Sequence, residues 1–449
     1  VSKSSTRQDF VKSHHFNQLD IEIRDGNRWR AVGHVKLIGH EDDGLNASTE
    51  FCYDLDYASD YSERNDFRAV SCLAPVTFEP ISYAGWPPFL LDLFPQGAAL
   101  RYIVDHYRIS DLPKNYWKII KTARLNPPGN LRAVIFGDDR NENLTVHPGF
   151  KRQDVLAKGA DFLEYMVEQG APVAGTTGAG GAAPKFLLRE DYKGRFHADG
   201  TLPDSKTKCC WLVKFPRGRS RDDRDILSTE KSYGAIAKWM GLMVHGRALW
   251  ESNCLFVPRF DRKIIKKSIR HFGLESFYSL VGLPEFGSRL EHETYLKALA
   301  QFSSKPEHDI IEYVLRDFLN LMLGNTDNHG RNTSLIKGSG TVRLAPVYDF
   351  APMKFDPDGI VRNTRWSQKT GDGNIAAICQ YLVNDLNVNQ RNLDKAINQF
   401  FAKASSLEAK MQSLKVPKRY IEATAQERRE LLNKIARYIN PKSRAGSRR

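Results

Sequence analysis

The chain has 449 residues and a formal net charge of +13, with 41% hydrophobic and 27% charged positions and 24 Phe, 17 Tyr and 7 Trp. That is ample material for a large core, and the length predicts two or three domains. No stretch nears the roughly 18 to 20 apolar residues that cross a bilayer, and no apolar run follows Val1 to Arg7 as a secretory signal would require. A cytoplasmic protein without membrane attachment is expected. The six cysteines (Cys52, Cys72, Cys209, Cys210, Cys254 and Cys379) have neither the Cys-x-x-Cys spacing nor the His pair of a zinc site, and read as buried or incidental thiols. The positive charge favours an anionic partner such as ATP, RNA or a nucleic-acid-bound protein. Its excess from Lys434 to Arg449, six basic residues and no acidic one, reads as a solvated tail.

Residues 16 to about 83 alternate apolar and polar positions, as in Phe51-Cys52-Tyr53-Asp54-Leu55-Asp56-Tyr57, which predicts a mostly stranded first part. Trp86-Pro87-Pro88 leads into Phe89-Leu90-Leu91-Asp92-Leu93-Phe94 and Pro95-Gln96-Gly97, after which Leu100, Ile103 and Val104 fit a helix. Val155, Phe162, Leu163, Met166 and Val167 predict a further helix over 154–168 that stops at Gly170. The run Gly175 to Ala183, followed by Pro184-Lys185 and the strand-like Phe186-Leu187-Leu188, would let backbone N–H groups approach a phosphate, although such a run also suits a linker. Trp211-Leu212-Val213-Lys214-Phe215-Pro216 reads as an apolar strand with one inward lysine. Glu230 is the candidate partner of Lys214, because Tyr233, Ile236, Ala237, Met240 and Leu242 mark an amphipathic helix just after it. Asn253 to Val257 predicts another strand, running into Pro258-Arg259-Phe260-Asp261-Arg262, and the chain from about 263 is expected to be largely helical.

The most informative stretch is Asn325-Thr326-Asp327-Asn328-His329-Gly330-Arg331-Asn332. Ile311, Val314, Leu315, Phe318, Leu319 and Met322 predict a helix over 306–323 that ends at Gly324, so Asp327 leaves a rigid element on a loop. Thr333–Ile336 and Thr341–Ala345 read as strands joined by Lys337-Gly338-Ser339-Gly340, a hairpin that returns Tyr348-Asp349-Phe350 towards Asp327. An Asp/Asn-rich loop alone could be an ordinary turn. With Asp349 after the hairpin, the order matches a phosphoryl-transfer site, in which an Asp accepts the substrate proton and an Asn five residues on and a later Asp hold magnesium.

These motifs together resemble the HipA-type serine/threonine kinases, toxins of bacterial type II toxin-antitoxin modules linked to growth arrest and persistence. Leu91 to Gly97 resembles the end of the amino-terminal subdomain, Gly181 to Lys185 the phosphate-binding loop, and Val213-Lys214-Phe215-Pro216 the ATP lysine strand. Arg259-Phe260-Asp261-Arg262 resembles the hinge, Thr326 to Asn332 the catalytic loop, and Tyr348-Asp349 the metal motif. Pro184-Lys185-Phe186 and Pro95-Gln96-Gly97 resemble the YjjJ-type branch. The resemblance implies an α+β, bilobal, protein-kinase-like fold: a β-rich subdomain over 1–145, a small N-lobe over 146–258 and a largely helical C-lobe over 259–449.

By the same resemblance Asp327 is the catalytic base and Asn332 and Asp349 are magnesium ligands. Gly180, Gly181, Ala182, Lys185 and Lys214 meet ATP phosphates, and Phe256, Val257, Arg259 and Phe260 bracket the adenine. His329 belongs to the loop as a hydrogen-bonding residue near the nucleotide. Family members carry a loop serine that is autophosphorylated; here Gly178 takes its place, which leaves Thr177 or Thr176 as the candidate acceptor. The implied substrate is a translation component, glutamyl-tRNA synthetase or another aminoacyl-tRNA synthetase, and the implied partner a HipB-like antitoxin through which any DNA contact is made. A small-molecule kinase of the aminoglycoside or choline type, and an inactive kinase acting as a DNA-associated corepressor, are the alternatives.

Overall fold

The computed structural model describes residues 17–95, 100, 103–105, 108–122, 127–134, 147–158, 160–168, 184–283 and 287–440. The whole is mixed α+β, and it divides into one unit of residues 1–217, 251–286 and 336–341 and a second of 218–250, 287–335 and 342–449. The glycine-rich run 175–183, Gln96-Gly97, Gly170 and the tail from 441 lie outside the described residues.

The first unit contains two separate cores. In one, strands β1 (Gln18–Asp25), β2 (Arg28–Leu37), β3 (Thr49–Tyr53), β4 (Ile81–Tyr83) and β5 (Leu131–Val134) form a sheet in the order β4-β3-β2-β1-β5. Alternate residues of β1 point inward, so Leu19, Ile21 and Ile23 meet Phe51, Trp86, Phe89 and Trp117 on one buried face. The predicted run through Tyr57 stops at Tyr53; Leu55–Tyr61 is a helix, and Tyr57 and Ala58 fill its buried side. A period of two over so few residues did not distinguish a strand end from a helix start.

The second core lies on the antiparallel strands β6 (Lys185–Asp191), β7 (Phe196–Ala198) and β8 (Thr207–Lys214), with the strand Cys254–Pro258 beside β8. Phe186, Phe196, Trp211, Val213, Phe215 and Phe256 fill it, and Val155, Phe162 and Met166 pack over them. Those three come from two short helices, Arg152–Ala157 and Ala160–Glu168, in place of one continuous helix. The break is at Lys158, which adopts a left-handed φ of 49° and donates its N–H back to Asp154 and Val155.

The stretch after 261 is a further correction, because Arg262–Ile265, Ser268–His271 and Gly273–Ser276 are strands before the helices begin. Lys266 and Lys267, both at positive φ (46° and 66°), make the two-residue turn of the first hairpin. That is a turn usually announced by Asn-Gly, which is absent here.

A buried ion network joins these parts of the first unit. Arg259 grips Asp261 with two parallel bonds of 2.9 and 2.6 Å and also reaches Asp199, while Arg189 bonds Asp199 at 2.7 Å. Arg262 bonds Asp261 at 2.8 Å and the carbonyl of Gly129 at 2.7 Å, and the Gly129 N–H returns a bond of 2.8 Å to Asp261. Burial alone would raise the Asp261 carboxyl, but the Arg259 and Arg262 guanidiniums outweigh it and hold the group at about 2.

A carboxyl depressed on folding stabilises the fold above its unfolded value and loses that contribution as pH falls through the folded value. Stability followed by urea denaturation should therefore drop between about pH 4 and pH 2. Asp261→Asn should cost about 3 to 5 kcal/mol at neutral pH, by removing a carboxylate that two buried arginines share, and should flatten that acid limb.

Candidate active site

The second unit places the Asp/Asn loop as its sequence demands. The helix Pro306–Leu323 packs against His292–Phe302 and Ala425–Ile439, burying Ile310, Val314, Phe318, Leu319 and Met322. Gly324 ends it in the left-handed region at φ 68°, which a glycine adopts without strain. The strands Ser334–Gly338 and Thr341–Leu344 form the expected hairpin, with a tighter turn of only Ser339-Gly340.

Asp309, fully buried near the helix start, holds the returning strand. It accepts two bonds from Arg343, at 2.7 and 3.0 Å, one of 2.6 Å from Ser303 and one of 2.8 Å from the Leu344 N–H. Burial would raise this carboxyl; those donors outweigh it and keep it below the usual range. The chain leaving the strand reaches Tyr348, whose hydroxyl donates to the Arg331 carbonyl at 2.7 Å and lies 2.6 Å from Ser334 Oγ.

Asp327, Asn332 and Asp349 consequently line one open cleft. Asp327 is only 7% exposed, and His329 Nε2 lies 3.3 Å from its Oδ1. The Arg331 N–H donates to His329 Nδ1 at 3.1 Å, which leaves the proton of a neutral imidazole on Nε2, directed at Asp327. Asn332 donates its amide N–H to the Asp327 carbonyl at 2.8 Å. Its Oδ1 is buried with no hydrogen-bond partner among the described residues. Asp349 sits at φ 48°, a conformation that side-chain-bearing residues seldom adopt and that clusters at functional sites.

This donor set fits magnesium, which takes one or two protein carboxylates and fills its remaining positions with phosphate oxygens and water. An amide oxygen locked by its own N–H and lacking a donor is suited to a cation. Among the described residues no group of three or more His, Cys, Asp and Glu side chains could by itself hold a metal ion.

The first unit supplies a different feature. Lys185 and Lys214 are directly opposite each other on β6 and β8, and both are buried, at 8% and 2% exposure. Opposed residues of an antiparallel pair share a face, so two cationic side chains emerge together at the strand ends. Glu230 is half-buried within a helix that begins well before it, at Arg221, capped by Ser220 and closed by Gly241. In the segment 256–260 the side chains differ in their surroundings. Phe256 is fully buried in the core against Trp211 and Phe196, and the Arg259 guanidinium is committed to Asp199 and Asp261. Val257 and Phe260 are half-buried. Gly180, Gly181, Ala182, Thr176 and Thr177 lie outside the described residues.

Sequence reasoning missed Asn328 and Asp317. Asn328 ties the loop to the segment after Asp349: its Nδ2 donates to the Thr364 carbonyl at 2.7 Å, and its Oδ1 accepts from Asn363 N–H at 3.0 Å. Asp317 interrupts the apolar face of the helix and is 2% exposed. A charged residue at an inward helical position was the available signal.

The family model described as "HipA-like C-terminal domain" matches residues 177–427, more than half of the chain, and the chain belongs to that family. It is 24% identical over 285 residues to "Putative kinase Y4dM" of Sinorhizobium fredii, a match covering 59% of this chain and 61% of that protein. It is 27% identical over 110 residues to "Putative kinase Y4mE" of the same organism, covering 23% and 26%. Neither relative is spanned over two thirds of its length. Among solved structures, a chain of the Shewanella oneidensis MR-1 toxin-antitoxin complex of HipA, HipB and operator DNA matches with a TM-score of 0.62 at 18% identity, covering 94% of this chain and 97% of that one. The shared fold is thus HipA-like over nearly all of its length.

Gly324→Ala tests the handover from helix to loop. The added Cβ would lie 3.1 Å from Thr424 Cγ2 and 3.3 Å from Lys354 Cβ, at a positive φ. A loss of about 1 to 2 kcal/mol in urea denaturation is expected.

Proposed function

We propose that the protein is an ATP- and magnesium-dependent serine/threonine protein kinase of the HipA type. One observation carries the reading: Asp327, Asn332 and Asp349, from two distant stretches, line one cleft, and the Asn332 oxygen has no donor among the described residues. Family membership and the kinase names of both relatives support it.

Asp327 is the base. Its carboxylate, held by the His329 N–H, receives the proton of a substrate serine or threonine hydroxyl as that oxygen bonds to the terminal phosphorus and ADP departs. Asn332 and Asp349 would hold magnesium, which supplies charge neutralisation on the phosphate oxygens. Lys185 and Lys214, opposed on β6 and β8, are the proposed phosphate-neutralising residues of the first unit, and the glycine-rich run is by its sequence the proposed phosphate-binding loop. Thr177 or Thr176 is the proposed autophosphorylation site, where a dianionic group would repel the nucleotide phosphates.

The proposed substrate is a cytoplasmic translation component, glutamyl-tRNA synthetase first, and the chain's positive charge suits a target that engages RNA. A HipB-like antitoxin is the proposed partner and would carry the DNA contact, since the similarly folded chain was solved with HipB and operator DNA. Among the described residues no helix is long and apolar enough to cross a membrane.

Labelled ATP added to a bacterial lysate with the wild-type protein should mark a discrete polypeptide. Asp327→Asn should lower the labelling rate by about 100-fold or more, with nucleotide binding kept. Asn332→Ala should raise the magnesium concentration needed for half-maximal rate. Repression of a promoter with no labelling by either form would favour the corepressor instead.

A further inference from the structure

The segment after Asp349 is fixed from two sides. On one side it is laced to the residues flanking Asp327: Thr326 Oγ1 donates to the Ile360 carbonyl at 2.6 Å, and Thr364 Oγ1 donates to the Asn328 carbonyl at 2.7 Å. Thr364–Arg365 also forms a short parallel bridge with Leu290–Glu291. On the other side it is held by Asp317. That carboxylate accepts Arg362 Nη2 at 2.6 Å on one oxygen and Trp366 Nε1 at 3.0 Å on the other. His292 completes the node, with its ring centroid 4.9 Å from that of Trp366 and its Nε2 3.4 Å from Asp317.

Kinase segments in this place are commonly ordered by phosphorylation, through a new phosphate–arginine pair. Here a buried carboxylate, Asp317, is already bonded to an arginine of that segment, Arg362. We infer that Asp317 is a positioning residue that keeps residues 360–366 ordered without phosphorylation, as a preformed rest for the polypeptide substrate beside Asp327. The inference rests on the kinase reading for its consequence and on geometry alone for its mechanism.

Hydrogen exchange and labelling kinetics on the full chain separate the two. Asp317→Asn should raise amide exchange at 360–366 by tenfold or more and leave the core of the Pro306 helix within twofold. Under saturating Mg-ATP, the labelling rate should fall at least tenfold while the KM for ATP moves less than twofold. Trp366→Phe, which keeps the ring and loses one hydrogen bond, should give a smaller change of the same kind, and Arg362→Lys should retain more activity than Arg362→Met. Should Asp317→Asn fail to fold, those last three variants decide the matter. Unchanged exchange at 360–366 with a lowered unfolding midpoint would overturn the inference and make Asp317 a polar core residue. If the wild type labels nothing, the kinase reading fails and the exchange result still decides whether Asp317 orders the segment.

Discussion

Two buried carboxylates eight residues apart on one helix fix the second unit. Asp309 secures Arg343 and Leu344 of the strand that leads to Asp349, and Asp317 secures Arg362 and Trp366 beyond it. Each sits where an unpaired charge would be expensive, so each compels its partners into place. The helix is thereby more than an apolar prop for the Asp327 loop. It sets the path of the chain for some fifty residues downstream, and the cleft forms where that path passes back over the loop.

Much of this was legible beforehand. The apolar period of Val314, Phe318, Leu319 and Met322, with Pro306 and Gly324 at the ends, located the helix, and the spacing of Asp327, Asn332 and Asp349 located the cleft. What escaped were buried polar residues, because periodicity counts them as breaks in an apolar face. Ile311 and Leu315, read as core, are only half-buried, while Asp309 and Asp317 lie inside. Nothing local reveals that an inward aspartate has an arginine waiting thirty or forty residues later.

In the first unit the same blindness runs the other way. Arg259 was read for a nucleotide through the hinge resemblance alone, and nothing in the sequence signalled that Asp199, sixty residues earlier, and Asp261 bind its guanidinium. The paired placement of Lys185 and Lys214 was not foreseeable either, since register depends on the bulge near Glu190 and Asp191 as well as on the strands. Short strands after Arg262 were hidden by a Lys-Lys turn, whose positive backbone angles are imposed by the pairing of the flanking residues.

The left-handed backbone at Asp349 implies a tension between durability and use. A glycine would relax at that φ, so the polypeptide would be more robust with the carboxylate deleted. Retaining aspartate there keeps a side chain where the backbone would prefer none. On the proposed role of Asp349 as a magnesium ligand, a search of variants that rewards heat resistance alone would drift towards inert proteins at this position, and only a screen that also demands turnover would keep the acid.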